Sequence, residues 1–458
     1  MMDLKNKKVG VVGLSKRTGV STVKFLLEKG AQVVATDHKN KEELSEELDL
    51  LKGLDINYEL NGHGEKSLNT EILVVSPGVP LDLDFFKKAR KRNIEIISEI
   101  ELAYRFTEAK IIAVTGTNGK TTTTRLLGEI MSAYYGDKVV VAGNIGTPLI
   151  SVATGLSKDN WIVVEVSSFQ LEAIKNFKAD ISIFLNFSED HLDRHKTVKN
   201  YLNAKTKIFI NQENNDRAVI NYDDEDIRNV VSNYKMKKHY ISGNTKVDNG
   251  AFISNNKIYF YNNKEKINLI SSKELNLKGK HNLMNTAFAS YSAYLAGVDI
   301  ETIRKSIKKF KADKHRIEII YKNNFGNLVV DDSKATNPDA AIKALDTFDN
   351  EIILIAGGQD RNANFEKLSK KIKEKVKTLI LLGETSDKIH KEVLKRGFKN
   401  IYKVENMREA VEKAYDEYEK GDCLLLSPAC PSWDMYESYK KRGEIFNKEV
   451  KRIMDISK

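Results

Sequence analysis

The sequence predicts a three-domain α/β protein, and three observations support this fold class. Short apolar runs alternate with helical stretches along most of the 458 residues, which is the rhythm of parallel β-α-β units. A chain of this length is too long for one compact core, so roughly two to four domains are expected. A glycine-rich loop near residue 116 opens a second series of strands and helices, and a third series follows residue 312.

The first series predicts a Rossmann-like domain over residues 1–98. Apolar runs at Lys8–Val12, Gln32–Thr36 and Ile72–Val75 predict strands, and a helix is expected near Val20–Lys29. Strands separated by helices in this way form parallel sheets.

The second series predicts a central domain over residues 99–312, of the P-loop ATPase-like α/β kind with a small β insertion. Its strands are expected at Ile111–Val114, Lys138–Ala142, Trp161–Val166 and Ile181–Leu185. Short strands with polar interruptions between residues 217 and 277 predict the insertion.

The third series predicts a C-terminal Rossmann-like domain over residues 313–458. Its strands are expected at Leu328–Val330, Ile352–Ala356, Leu379–Leu382 and Cys423–Leu426.

The composition indicates a folded protein of the cytoplasm. Hydrophobic residues make up 41% and charged residues 30% of the chain, as in ordinary soluble domains. Neither a signal peptide nor an apolar run long enough for membrane insertion is found. Two cysteines cannot form a disulfide framework, so both are expected to be free. The net charge of +10 comes largely from mixed runs that form solvated helix faces, and no nucleic-acid-binding signature accompanies it.

The strongest local motif is a phosphate-binding loop between a predicted strand and a predicted helix. Gly116 and Gly119 let backbone N–H groups converge on phosphate oxygens, and the helix that starts after Lys120 adds partial positive charge. Lys120 is placed to neutralise the β and γ phosphates, and Thr121 to bind Mg²⁺. Val114 stands where the usual pattern has glycine, so this is a shortened variant of the loop.

Two strand ends supply candidate metal ligands in the same domain. Glu165 ends the apolar run that starts at Trp161, and His191 lies in a loop rich in acidic residues after the next strand. Carboxylate and imidazole groups at neighbouring strand ends suit a Mg²⁺–nucleotide site. The buried-type run before Glu165 favours a metal ligand over a surface residue, whereas His191 could equally be a hydrogen-bonded loop histidine.

The first domain carries a broken dinucleotide fingerprint. Gly13 and Gly19 enclose a turn between strand and helix, but Ser15 and Lys16 interrupt the usual glycine spacing. An NAD(P)-dependent oxidoreductase is therefore a weaker alternative. A second alternative is a P-loop switch or binding module. Such a protein would not need the third domain that the sequence predicts.

Taken together, the motifs resemble the Mur ligase family over nearly the whole chain. They are, in order, 116–121 (GTNGKT), 165–170 (EVSSFQ), 186–194 (NFSEDHLDR), 201–205 (YLNAK), 281–285 (HNLMN), 315–316 (HR) and 332–337 (DSKATN). The resemblance implies domains for a uridine nucleotide, ATP and an amino acid, and an ATP-dependent ligase that activates a carboxylate as an acyl phosphate before forming an amide bond.

Within the family, segments 332–337 and 426–432 (LSPACPS) are most similar to the member that adds D-glutamate to UDP-N-acetylmuramoyl-L-alanine in peptidoglycan precursor synthesis. The alternative is another Mur ligase, or a ligase like folylpolyglutamate synthase, with a different amino acid. The expected partners are small-molecule substrates, with the protein a monomer.

The resemblance also implies roles for single residues. ATP would be bound by Gly116, Thr117, Asn118, Gly119, Lys120, Thr121, Thr122, Asn282, Asn285, Arg316 and Asp332. The UDP substrate would meet Arg17, Thr18, Asp37, His38, Ser76, Gly78 and Asn144, and the amino acid Lys334, Thr336, Arg361, Ser432 and Tyr439. Arg361 stands where the family usually has lysine, and Tyr439 where phenylalanine is common.

The same resemblance implies two Mg²⁺ ions. Their ligands would be Thr121, Glu165, His191 and Lys205, with Lys120, His191 and Lys205 as catalytic residues. Lys205 would be carbamylated, because a carbamate is an anion that can hold Mg²⁺ where an ammonium would repel it. Without the resemblance, Lys205 would be read as a surface lysine of a helix.

Overall fold

Three β-sheets organise the chain, and the computed structural model describes residues 2–262, 265–277, 279–311 and 314–454. The predicted fold class, three α/β domains in series, is confirmed. None of the helices in these described ranges combines the length and the apolar composition that a membrane span requires.

The first sheet is parallel and has the strand order β3-β2-β1-β4-β5. Its strands are β1 (Lys8–Val12), β2 (Gln32–Thr36), β3 (Ile56–Glu59), β4 (Ile72–Val75) and β5 (Glu95–Ser98). Its helices are α1 (Thr18–Glu28), α2 (Ser45–Leu50), α3 (Glu65–Leu68) and α4 (Asp84–Lys91), and α5 (Glu99–Tyr104) follows β5. The connections reverse direction between β1 and β4, which opens a crevice at the carboxyl ends of these strands.

The second sheet has nine strands in the order β14-β13-β12-β11-β10-β9-β6-β8-β7. They are β6 (Lys110–Thr115), β7 (Val139–Gly143), β8 (Trp161–Glu165), β9 (Ile181–Phe184), β10 (Arg217–Asn221), β11 (Lys237–Ser242), β12 (Asn249–Ser254), β13 (Lys257–Asn262) and β14 (Lys266–Ser271). The helices are α6 (Lys120–Tyr135), α7 (Ser168–Glu172), α8 (Leu192–His195), α9 (Val198–Thr206), α10 (Glu225–Val231), α11 (Lys280–Leu295) and α12 (Ile300–Lys309). The strands predicted as an insertion extend this sheet at one edge.

The third sheet has the order β15-β16-β20-β17-β18-β19, and β15 alone of these strands pairs in the antiparallel sense. The strands are β15 (Glu318–Lys322), β16 (Leu328–Asp331), β17 (Ile352–Ala356), β18 (Val376–Leu381), β19 (Ile401–Lys403) and β20 (Cys423–Leu426). The helices are α13 (Pro338–Leu345), α14 (Glu366–Lys375), α15 (Ser386–Leu394), α16 (Met407–Asp416) and α17 (Tyr439–Met454).

The central strands of each sheet are apolar because helices cover both of their faces. Every residue of β4, β8, β9, β17 and β20 is buried, for example. Both cysteines are free, as predicted, and lie buried in the third sheet or beside it.

The described residues form two compact units. One runs from the N-terminus to Phe187 and continues over Thr197–Ile270 and Asn285–Ile307; the other takes Ser188–Lys196, Ser271–Met284 and the chain from Lys308 onward. The domain boundaries stay predictions. The one near 98 falls between β5 and α5, and the one at 312–313 lies outside the described residues.

Candidate functional site

The phosphate loop joins β6 to α6 and is held from both sides. Lys120 Nζ donates to the carbonyl oxygens of Gly116 and Thr117, each at 2.8 Å. Asn186, at the end of the neighbouring strand β9, accepts from the Asn118 N–H through Oδ1 at 2.9 Å and donates from Nδ2 to the Asn118 carbonyl oxygen at 2.9 Å. The loop is therefore fixed in shape by the protein itself.

Gly119 marks the turn into α6 and has no room for a side chain. Its φ of 85° lies in the left-handed region that favours glycine. A Cβ at this position would lie 2.4 Å from Oδ1 of Asn285, on helix α11. Asn285, one of the residues predicted for ATP, thus packs directly against the phosphate loop, and both residues belong to the first compact unit.

Lys205 lies on α9 and is 1% exposed. Its ammonium donates to the carbonyl oxygen of Gly116 at 2.8 Å and sits 4.6 Å from the ring centre of Tyr201. The surface position expected from spacing alone is wrong. The metal role that the resemblance implies for Lys205 stays a prediction.

Glu165 is the buried carboxylate of this site. It ends β8, pairs in register with Val114 of β6 and is 1% exposed. One of its oxygens, Oε1, accepts from Asn144 Nδ2 at 2.8 Å, whereas Oε2 has no hydrogen-bond partner among the described residues. A buried carboxylate oxygen without a donor is well suited to bind a cation.

His191 belongs to the second compact unit, whereas Glu165 and Lys205 belong to the first. Its φ of 55° places it in the left-handed region, at the start of α8, and its N–H donates to Asp190 Oδ1 at 2.8 Å. Asp190 Oδ2 in turn accepts from Asn337 Nδ2 at 3.1 Å. The predicted metal role of His191 therefore stays a prediction.

The crevice of the first sheet gathers several of the residues predicted for the UDP substrate. Ser76, which follows β4, donates from Oγ to the carbonyl oxygen of Gly13, which follows β1, at 2.6 Å. Asp37, which follows β2, is 6% exposed and accepts from the Leu14 N–H at 2.7 Å. Three further residues predicted for the UDP substrate are partly or fully exposed to solvent: Thr18, His38 and Gly78.

Arg17 connects this crevice to the second sheet. Its guanidinium donates to the carbonyl oxygens of Gly143 at 2.8 Å and Asn144 at 3.3 Å. Asn144 also holds Glu165, so a chain of hydrogen bonds runs from the predicted diphosphate residue to the candidate metal carboxylate.

The second compact unit contains the remaining predicted nucleotide residues. Asp332 is 4% exposed and accepts from Ser427 Oγ at 2.8 Å. Burial raises the pKa of its carboxyl to about 7, while the hydrogen bond from Ser427 and the charge of Arg316 oppose that rise. Arg316 has a buried Nε without a hydrogen-bond partner in the described chain. Asn282 is also in this unit, one helical turn before Asn285 on α11.

The predicted amino-acid residues surround the carboxyl edge of the third sheet. Lys334 lies 5.5 Å from the ring centre of Tyr439, and Arg361 lies 4.7 Å from that of Trp433. Ser432 is 2% exposed, and its Oγ has no hydrogen-bond partner within the described ranges. Thr336 follows in the same loop as Lys334.

Sequence reasoning missed four residues of these sites. Asn186, Tyr201 and Gln170 occur in the quoted motifs, but no role was assigned to them, and Arg442 was not singled out at all. Gln170 forms a capping box with Ser167 at the start of α7, directly after Glu165. The capping pattern Ser-x-x-Gln was a readable signal. Nothing local distinguishes Arg442.

Models of protein families match each part of the chain. The Mur ligase MurD-like N-terminal domain matches residues 7–98, the Mur ligase middle domain 114–293, and the Mur ligase glutamate ligase domain 315–430.

Similar proteins extend this result to the full length. The UDP-N-acetylmuramoylalanine--D-glutamate ligase of Clostridioides difficile (strain 630) is 44% identical over 455 residues, covering 99% of this chain and 100% of that protein. The enzyme of the same name from Caldanaerobacter subterraneus subsp. tengcongensis is 44% identical over 452 residues, covering 98% and 99%.

Solved structures share the fold at lower identity. A pseudomurein peptide ligase type C from Methanothermus fervidus has a TM-score of 0.61 at 19% identity, covering 97% of this chain and 100% of that one. UDP-N-acetylmuramate-alanine ligase MurC from Thermotoga maritima has a TM-score of 0.58 at 18% identity, covering 99% and 100%. With matches in all three domains and 44% identity along its length, the chain belongs to the Mur ligase family.

Proposed function

We propose that this chain is an ATP-dependent ligase that joins D-glutamate to UDP-N-acetylmuramoyl-L-alanine in peptidoglycan synthesis. The observation that carries the proposal is 44% identity, over nearly the full length of the chain, to proteins named UDP-N-acetylmuramoylalanine--D-glutamate ligase. The phosphate loop with two lysines on its carbonyl groups supports the ATP half of the reaction.

The first half of the reaction turns a poor electrophile into a reactive one. The alanine carboxylate attacks the γ-phosphorus of ATP, the bond to ADP breaks, and an acyl phosphate forms. Charge accumulates on the transferring phosphoryl group, so catalysis here consists of positioning and electrostatic stabilisation. Lys120 supplies a cation at the loop, and the first N–H groups of α6 supply partial positive charge.

We propose that two Mg²⁺ ions bind at this site, where they would neutralise phosphate charge and orient the γ-phosphate. Glu165 offers an unpaired buried oxygen, and Thr121 follows Lys120 at the start of α6. We propose that His191 and Lys205 complete the ligand set. Lys205 is suited to this only as a carbamate, formed when its neutral amine adds CO₂, because its ammonium would repel a cation.

In the second half the neutral amine of D-glutamate attacks the acyl carbon. A tetrahedral intermediate then expels inorganic phosphate, and the amine loses a proton as the amide forms. D-Glutamate carries two carboxylates, and Lys334, Arg361 and the Ser432 hydroxyl are the groups proposed to bind them. We further propose that the protein acts in the cytoplasm, as a monomer.

The test is phosphate release by the purified protein with ATP, Mg²⁺ and UDP-N-acetylmuramoyl-L-alanine. D-Glutamate, L-glutamate, L-alanine and lysine are added separately. We expect release above background with D-glutamate alone among these four. Equal release with another amino acid would refute the assigned substrate, and release without any amino acid would refute the ligase assignment.

A further inference from the structure

Arg442 is a fully buried arginine at the first turn of α17. It is 2% exposed, and all three of its nitrogens donate hydrogen bonds. Nε donates to Ser333 Oγ at 3.0 Å, and Nη2 donates to the carbonyl oxygens of Ser333 at 2.8 Å and Cys430 at 3.0 Å. Nη1 donates to the carbonyl oxygen of Pro431 at 3.3 Å. The guanidinium thus joins two chain segments that lie about a hundred residues apart in sequence.

A third segment packs against the same group. A Cβ on Gly358 would lie 3.2 Å from Nη1 of Arg442 and 2.3 Å from the Pro431 carbonyl oxygen, so the loop after β17 fits closely here. These three loops and the start of α17 carry all five residues predicted for the amino acid, which are Lys334, Thr336, Arg361, Ser432 and Tyr439.

The charge of Arg442 is unusual in this setting. Among the described residues its hydrogen bonds go to a hydroxyl and to carbonyl oxygens, and Asp434 and Asp331 act on its charge at longer range. Burial lowers its pKa to about 10, so it stays charged at neutral pH. A buried cation held by neutral carbonyl groups is costly to keep. The charge of Arg442 also makes the electrostatic potential more positive beside the pocket that is expected to bind a dicarboxylate.

We infer that Arg442 is a positioning residue for the amino-acid substrate, which fixes the three loops that bind it without touching it. This inference rests on the proposed function. Ser333 has a share in the same role, because its hydroxyl accepts from Arg442 Nε and donates to the Tyr439 carbonyl oxygen at 2.8 Å.

The experiment compares KM values for the amino acid and for ATP in the full-length protein and its variants. Arg442→Lys keeps the charge but cannot reach all four acceptors, and Arg442→Met removes both charge and bonds. We expect KM for D-glutamate to rise about tenfold in Arg442→Lys, more in Arg442→Met and severalfold in Ser333→Ala. KM for ATP should rise by a smaller factor, because Asp332 is the residue predicted for ATP that adjoins Ser333, whereas the phosphate loop belongs to the other compact unit.

Arg452→Met is the matched control. Arg452 lies on the same helix, is 41% exposed in its side chain and pairs with Glu449 and Glu412. Its loss should leave both KM values unchanged. If Arg442→Met does not fold, Ser333→Ala and Arg442→Lys decide the question.

Two outcomes would overturn the inference. One is an unchanged KM for the amino acid in the folded variants, and the other is an equal rise in both KM values. The wild-type protein is assayed first with the four amino acids, and the variants are tested with whichever one it uses. A wild-type protein that prefers another amino acid therefore refutes the assigned substrate and leaves the inference about Arg442 to be decided by its own variants.

Discussion

At the scale of single residues, burial separates Lys205 from Lys199, the other lysine of its helix. A lysine that is 1% exposed must be paired or modified, because an isolated buried ammonium is strongly destabilising. In the unmodified protein the Gly116 carbonyl oxygen and the Tyr201 ring meet this need. The same position beside the loop would place a carbamate next to the phosphates of ATP.

Replacing Lys205 tests this role. We expect Lys205→Ala and Lys205→Arg each to lower kcat by about a hundredfold or more, because neither side chain can form a carbamate and a metal ligand is lost. Lys199→Ala, at an exposed position on the same helix, should keep full activity. Steady-state phosphate release measures all three. Near-normal activity of Lys205→Arg would exclude the carbamate.

Residue positions of this kind could be predicted only in part. The phosphate loop was readable because strand, glycines, lysine and helix follow each other in the chain, so local sequence encodes the geometry. Lys205 and Arg442 have partners that lie 89 and 109 residues away. Their burial depends on tertiary packing, which the local spacing of residues does not encode.

At the scale of elements, the junction of β6, the phosphate loop and α6 depends on one glycine. Gly119 combines a left-handed backbone with direct contact to Asn285. Gly136, at the other end of α6, has a φ of 61° but open space where a Cβ would be. The two glycines therefore differ in what surrounds them, because only the Gly119 position leaves no room for a Cβ.

We expect Gly119→Ala to raise KM for ATP at least tenfold, because the new methyl group displaces Asn285 or the loop. Gly136→Ala should leave that KM unchanged, although each substitution strains the backbone by about 1–3 kcal/mol. Thermal melting of both variants, followed by ATP titration, measures the two effects separately. Equal KM values in the two variants would show that the contact has no role in nucleotide binding.

Strands were predicted best where both faces are covered. The bounds of β1, β2, β4, β17 and β20 match the apolar runs at every residue, since a doubly covered strand reads as one uninterrupted run. The edge strands β3, β5, β15 and β19 were missed. Such strands are short and partly polar, and their pairing with a neighbour defines them more than their own sequence does.

At the scale of the whole molecule, stability is expected to depend on pH through buried acids. Glu99, the first residue of α5, is 1% exposed and accepts from the Ile150 N–H at 2.7 Å. Burial raises the pKa of its carboxyl from 4.5 to about 7, although that hydrogen bond and the charge of Arg17 oppose the rise. Between these values the folded protein holds a proton that the unfolded chain has released. Its contribution to stability therefore falls as pH rises from about 4.5 to 7, by roughly 3 kcal/mol.

Replacing this carboxyl should remove the dependence. We expect the Tm of Glu99→Gln, relative to wild type, to be several degrees higher at pH 8 than at pH 5, because glutamine keeps the acceptor oxygen and carries no charge. Glu95→Gln is the control with the opposite sign. Hydrogen bonds from Arg105 lower the pKa of Glu95 to about 2, so its stabilisation is present at both pH values and its Tm deficit should not change. A pH-independent difference for Glu99→Gln would contradict the prediction.

The two buried thiols of the third sheet also have a practical consequence. Cys423 lies inside β20, between β16 and β17, and Cys430 follows in the loop bonded to Arg442. Burial raises the pKa of both thiols to about 12, so almost no thiolate is present near neutral pH. An alkylating reagent can then modify them only when this sheet or its loop opens. The rate of alkylation therefore reports how often the domain with the third sheet opens, and it needs no introduced label.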